Sequence, residues 1–222
     1  MKFYESGDSS KPVIFLFPGT CCLYSSFDHI LDGLHSYFYT VTVSYDGFDP
    51  NEKTEFYSME DECEKIEQEI KKKYGGRIKA AYGCSLGGSF VSLLIQRKRI
   101  HIDHGIIGSS DMDEAGNLVA KIQASMVVPF MYKMVHTGAL PKFMQKKLNK
   151  TDEVKKELYN GFLNMFGIGK GGSPWITKQS IYNQFYSDLV TKVQHGIDVP
   201  GTTIHVFYAC LLYTSPSPRD TR

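Results

Sequence analysis

The sequence predicts an α/β fold: a mostly parallel, doubly wound sheet with a helical lid inserted before the last readable strand. Three observations carry this. Short apolar or β-branched runs alternate with amphipathic helical segments through the first 110 residues. Two of those runs end in tight, small-residue turns, FPGTCC and YGCSLGG. Then about ninety residues rich in Met, Lys, Phe and Tyr interrupt the alternation before a strand pattern returns.

The elements follow in order. VIFLF at 13–17 is a continuous apolar run closed by Pro18-Gly19, the pattern of a strand buried on both faces. Residues 25–37 place Phe27, Ile30, Leu31 and Leu34 at helical spacing, with Ser25 or Ser26 as the N-cap. FYTVTVSY at 38–45 is β-branched and aromatic and reads as the second strand. Ser58 opens a helix with Asp61 as its capping-box partner, an apolar stripe of Met59, Cys63, Ile66 and Ile70, and Gly75 at the end. Acidic residues at its start and Lys71 to Lys73 at its end match the helix dipole. RIKAAY at 77–82 is the third strand, 86–98 the third helix, 102–108 the fourth strand and 202–209 the fifth. KFYES, ahead of the first apolar run, is left outside the strands. The core thus takes residues 1–111 and 200–209, and the lid takes 112–199 with three or four amphipathic helices. Strand order is open. In the common doubly wound order 2-1-3-4-5, the loops after the first and third strands meet at the switch point where ligands bind. Those loops are FPGTCC and YGCSLGG.

Composition narrows the function. Of the 222 residues, 42% are hydrophobic and 13% aromatic, enough to bury a sizeable core. Lys and Arg number 25 against 24 Asp and Glu, which argues against nucleic acid or an anionic membrane as partner and for a small or neutral molecule. The polar N-terminus shows no secretory pattern, and no stretch is expected to reach bilayer length. Cys21, Cys22, Cys63, Cys84 and Cys210 form no CxxC pair and no metal-like spacing with histidine; no cofactor is implied. An odd thiol count without a signal reads as reduced cysteine in a cytoplasm.

The chemistry centres on Gly83-Cys84-Ser85-Leu86-Gly87. GxSxG alone is weak, since composition predicts about 0.15 chance matches; its weight comes from lying between a strand and a helix. There Ser85 becomes a nucleophile on a strained turn, with Gly83 and Gly87 letting strand and helix approach closely. The N–H of Leu86 at the helix start offers one oxyanion donor. FPGTCC offers the second, from Thr20 or Cys21. A phosphate loop or a plain strand–helix turn is the rival interpretation, but the segment lacks a Walker lysine and GxGxxG spacing.

VIFLFPGT, the elbow YGCSLGGSFV and the inserted helices together resemble the α/β-hydrolase family, and within it small bacterial hydrolases that carry GSSD after the next strand. The resemblance covers the chain to about residue 209. It implies acyl transfer in two steps, with Ser85 attacking a carbonyl, and leaves the substrate open. It also implies an acid and a base. In GSSDMDE, Asp111 is the candidate acid, with helix-capping at the lid start as its alternative role. The base in this family is a histidine late in the chain, after the last strand. His29, His35, His101, His104, His195 and His205 all read as surface or packing residues, and only His136, in the lid, stays open as a base. Residues 210–222, CLLYTSPSPRDTR, look like a translated sequencing adapter rather than any part of a hydrolase; a native Ser/Pro-rich tail is the alternative. On that reading the last strand, its loop histidine and the terminal helix are missing, Cys210 leaves the thiol count, and this polypeptide is nearly inactive while a full-length parent is active. The expected function is a serine esterase or thioesterase whose partner is a small acyl ester or thioester. The alternative is a non-catalytic hydrolase-like protein that binds a small ligand in the same cleft.

Overall fold

A computed structural model describes residues 1–110, 114–149, 153–166, 171–194 and 196–207. Asp111, His195 and the expected adapter-derived tail, 210–222, lie outside the described residues. Six strands form one sheet in the order β1-β3-β2-β4-β5-β6. They are β1 (Lys2–Ser6), β2 (Val13–Phe17), β3 (Tyr39–Ser44), β4 (Arg77–Cys84), β5 (His101–Gly108) and β6 (Thr203–Phe207). All neighbours are parallel except β1, which pairs antiparallel with β3.

The parallel part has the doubly wound order anticipated from the sequence, with the switch point between β2 and β4. β1 is an addition. KFYES is a short edge strand whose residues are all partly exposed, so it lacks the apolar run by which the buried strands are read. Along β2 the side chains divide between two faces. Phe15 and Phe17 join the larger core with Val41, Val43, Tyr45, Phe56, Ile66 and Phe90. Ile14 and Leu16 join the smaller one with Phe27 and Ala80. Tyr45 and Phe90 stack with ring centroids 4.7 Å apart, and each large side chain buried this way contributes roughly 1.5–3 kcal/mol.

The helices are α1 (Asp28–His35), α2 (Met59–Tyr74), α3 (Leu86–Arg97), α4 (Asn117–Thr137), α5 (Lys142–Asn149), α6 (Glu153–Met165) and α7 (Lys178–Val190). α2 is built as expected: Ser58 Oγ accepts from the Asp61 N–H at 3.1 Å, Gly75 takes the left-handed conformation, and the Met59, Cys63, Ile66, Ile70 stripe is fully buried. α1 differs. A 3-10 turn at Tyr24–Phe27 precedes it, its N-cap is Phe27, and neither Ser25 nor Ser26 caps it.

Among the described residues the helices α4 to α7 lie between β5 and β6, where the sequence pattern expects helices, but one expectation fails. α4 runs unbroken for 21 residues through Pro129 and is long and apolar enough, by length and composition, to cross a membrane. It buries Ala120, Ala124, Val128 and Val135 against the rest of the protein and exposes Leu118, Ile122 and Met126. The first lid segment read from the sequence, VAKIQASMVVPFMYKMV, already runs through Pro129. What differs is the expectation that no stretch reaches bilayer length: this helix reaches it by length and composition.

Candidate active site

Two turns at the C-terminal ends of β2 and β4 build the site. At the end of β4, Ser85 has φ +54 and ψ −125, a strained conformation for a residue with a side chain, and it is exposed. It lies between Cys84, the last residue of β4, and Leu86, the first of α3. Its N–H donates to the Gly108 carbonyl of β5 at 2.9 Å, which fixes the turn to the neighbouring strand. The two glycines are required by contact. A Cβ on Gly83 would lie 2.0 Å from the Gly87 carbonyl oxygen, and one on Gly87 would lie 2.1 Å from that of Phe17. As the first residue of α3, Leu86 has no intrahelical acceptor for its N–H.

The β2 turn lies against this elbow. A Cβ on Gly19 would be 3.2 Å from the Cys84 carbonyl oxygen and 3.7 Å from Ser85 Cβ. The Cys22 N–H donates to the Gly19 carbonyl at 3.0 Å, closing a β-turn over Thr20 and Cys21. Cys21 has φ +58, so the turn is type II. In the trans Gly19–Thr20 peptide the carbonyl points back to Cys22, and the Thr20 N–H points the opposite way. Among the described residues the Thr20 N–H donates no hydrogen bond. The Cys21 N–H, the other candidate donor, is committed to Gln184 Oε1 at 2.7 Å. Tyr45, buried at the end of β3, donates its hydroxyl to the Pro18 carbonyl at 3.1 Å and braces the start of the turn.

The chain has the α/β-hydrolase fold. No protein-family model and no curated protein matches the sequence. Solved structures match it over most of its length at low identity. An alpha/beta hydrolase family protein from Desulfitobacterium hafniense is 15% identical with a TM-score of 0.66, covering 93% of this chain and 79% of that one. A structure from the carboxylesterase work on the ammonia-oxidizing thaumarchaeon Nitrososphaera gargenis is 14% identical with a TM-score of 0.65, covering 93% and 75%. A third, 1H-3-hydroxy-4-oxoquinoline 2,4-dioxygenase, is 15% identical with a TM-score of 0.61, covering 96% and 78%. One fold thus carries both hydrolytic and dioxygenase names, and the chemistry has to be argued from the residues.

Within this α/β-hydrolase fold the thiols beside the elbow are poor nucleophiles. Burial pushes the Cys21 thiol far up, pushes Cys22 up to about 12 with Cys84 nearby adding to the shift, and raises Cys84 as well. All stay protonated near neutral pH, which leaves Ser85 as the nucleophile candidate. Asp111 itself is not described, but its neighbour Ser110 is buried beside the first turn of α3. There Ser110 Oγ lies 3.2 Å from Ser89 Oγ.

The described histidines lie elsewhere. His35 bonds Ser6 and Thr40, His104 pairs with His205 at 3.3 Å, and His101 lies beside Asp103. His136 packs its ring on Tyr132 and has a buried, unpartnered Nδ1. Among the described residues, none hydrogen-bonds to Ser85.

Asp46, Asp61 and Glu62 bring carboxylate oxygens within 4.8 Å of one another. Cations of the chain itself already occupy this cluster: Lys65 contacts all three carboxylates, and the Met1 ammonium contacts Asp46.

Gln184 and Tyr45 are site residues that sequence reasoning missed. No local pattern marks Gln184, because it meets Cys21 across 163 positions of chain. Tyr45 ends a predicted strand, and only its contact with Pro18 reveals its part.

Proposed function

We propose that this site is that of a serine hydrolase acting on a small ester or thioester. Ser85 Oγ attacks the acyl carbonyl, and the oxyanion that forms is held between the N–H groups of Leu86 and Thr20. The leaving alcohol or thiol departs with a proton, and water then hydrolyses the acyl-serine. Asp111 is the candidate acid that orients the base. The observation that carries this reading is an exposed serine at φ +54 on a strand-to-helix turn, packed against a second turn that keeps the Thr20 N–H free. The hydrolase names among the structural matches support it.

Among the described residues no histidine hydrogen-bonds to Ser85. With no base in that position turnover should be slow, the oxyanion donors keeping only a residual part of the catalytic power. Added imidazole can then act as the base. We expect hydrolysis of a short activated ester to rise with imidazole concentration in the native chain and not in Ser85→Ala, and a fluorophosphonate to modify Ser85 alone. Equal imidazole dependence in both proteins sinks the proposal. The lack of a histidine bonded to Ser85 favours one other reading, a non-catalytic protein that binds a small ligand in the same cleft. Ligand binding with no modification of Ser85 would select it.

A further inference from the structure

Gln184 sits on α7 with no exposed surface, and its two amide atoms fare differently. Oε1 accepts the Cys21 N–H at 2.7 Å, while Nε2 is buried with no hydrogen-bond partner among the described residues. Exchanging the two atoms would set an NH2 against an N–H, so the orientation is dictated by the need of Cys21 for an acceptor. A buried amide serving stability alone would satisfy both its groups. This one leaves a donor unmet in order to reach a backbone N–H.

That N–H belongs to the third residue of a type II turn, where φ is positive and glycine is the usual choice. A side chain at this position favours the type I form, reached by flipping the Thr20–Cys21 peptide. The flip would turn the Cys21 N–H away from Gln184 and bring the Thr20 carbonyl round in its place, while the Gly19–Thr20 peptide stays tied to Cys22. We propose that Gln184 is a positioning residue that pins the oxyanion turn in its type II form, so that docking of α7 limits how far the turn that carries the Thr20 N–H can move. The inference rests on the serine-hydrolase reading above. It makes α7 part of the device that organises the oxyanion site, in addition to its packing role.

The test compares three replacements. Gln184→Met keeps the shape and removes the acceptor. Ser187→Ala removes a different α7 bond, the one accepted from the Met59 N–H at 2.7 Å, which does not involve the turn after β2. Cys21→Gly removes the steric cost of positive φ, so within that background the turn no longer depends on Gln184. The maximal rate of Ser85 phosphonylation should fall about tenfold or more in Gln184→Met with the half-saturating reagent concentration unchanged. It should stay within about twofold in Ser187→Ala. In the Cys21→Gly background, adding Gln184→Met should cost under about threefold. Amide exchange at Cys21, read by NMR, needs no chemistry and should quicken at least about tenfold in Gln184→Met.

An equal loss in Ser187→Ala, an undiminished loss in the glycine background, or unchanged exchange at Cys21 overturns the proposal. A native chain that is never modified at Ser85 refutes the hydrolase reading instead, and the exchange result still decides whether Gln184 holds the turn. If Gln184→Met does not fold, Gln184→Asn withdraws the acceptor by one methylene and carries the same expectations.

Discussion

Ser85 holds φ +54 and ψ −125, and a side chain in that region costs on the order of 1–3 kcal/mol. The surroundings compel it: the Ser85 N–H is tied to Gly108, and Gly83 and Gly87 pack strand and helix too closely for the turn to relax. Strain of this kind trades stability for an exposed hydroxyl. Ser85→Gly should therefore raise the free energy of unfolding by about 1 kcal/mol while abolishing modification by a fluorophosphonate. Denaturant melts of the two proteins would show it, and a less stable glycine variant would mean the turn is not strained. The elbow could be read from the sequence because everything it needs lies within five neighbouring positions. The sequence left the donor of the turn after β2 open between Thr20 and Cys21; the Cys21 N–H goes to Gln184, which no local pattern brings near.

Helix ends show the same division at the scale of elements. Ser58 caps α2 as its pattern predicts, since the capping box is local and the apolar stripe behind it fixes where the helix begins. Ser58→Ala should cost about 1 kcal/mol, read as a lower urea midpoint with unchanged slope. Ser25 and Ser26 offered the same chemistry to α1 and went unused: both lie inside the 3-10 turn that precedes the helix, and Phe27 takes the N-cap position. α7 is the most informative element. Its sequence reads as one more lid helix, yet Ser180, Asn183, Gln184 and Ser187 all bond the backbone of the first 60 residues. Trp175, just ahead of it, donates to the Phe48 carbonyl as well. Of these contacts, the Gln184 bond alone ties the helix to the turn after β2.

At the scale of the whole molecule, one buried ion network joins the start of the chain, the end of β3 and α2. Burial, with the Asp46 carboxylate beside it, pushes the Glu62 carboxyl up to about 7 from 4.5. Burial pulls Lys65 down, but its hydrogen bonds to Asp46 and Asp61 outweigh that and hold it above its ordinary value. For Glu62 the folded state binds the proton more tightly than the unfolded state. Its contribution to stability is therefore full below about 4.5 and is lost as pH rises through about 7. Asp46, held below its usual range, works the other way and only at lower pH. Comparing urea midpoints near pH 5 and pH 8, we expect Glu62→Gln to lose the fall in stability that Glu62 imposes on the native protein across that interval. An unchanged fall would remove Glu62 as its source.

The sequence by itself determined the α/β alternation, the buried strands of the parallel sheet, the helical character of the stretch between β5 and β6, and the tight strand-to-helix turn at Ser85. Each is written in short-range periodicity or in a few adjacent residues, and burial of an apolar face follows from that pattern alone. Tertiary structure decided that KFYES is an edge strand, that Phe27 and not Ser25 or Ser26 caps α1, and that Cys21 gives its N–H to Gln184. These outcomes depend on which surfaces meet after collapse, and a hydrogen bond across 163 positions leaves no mark in either local pattern.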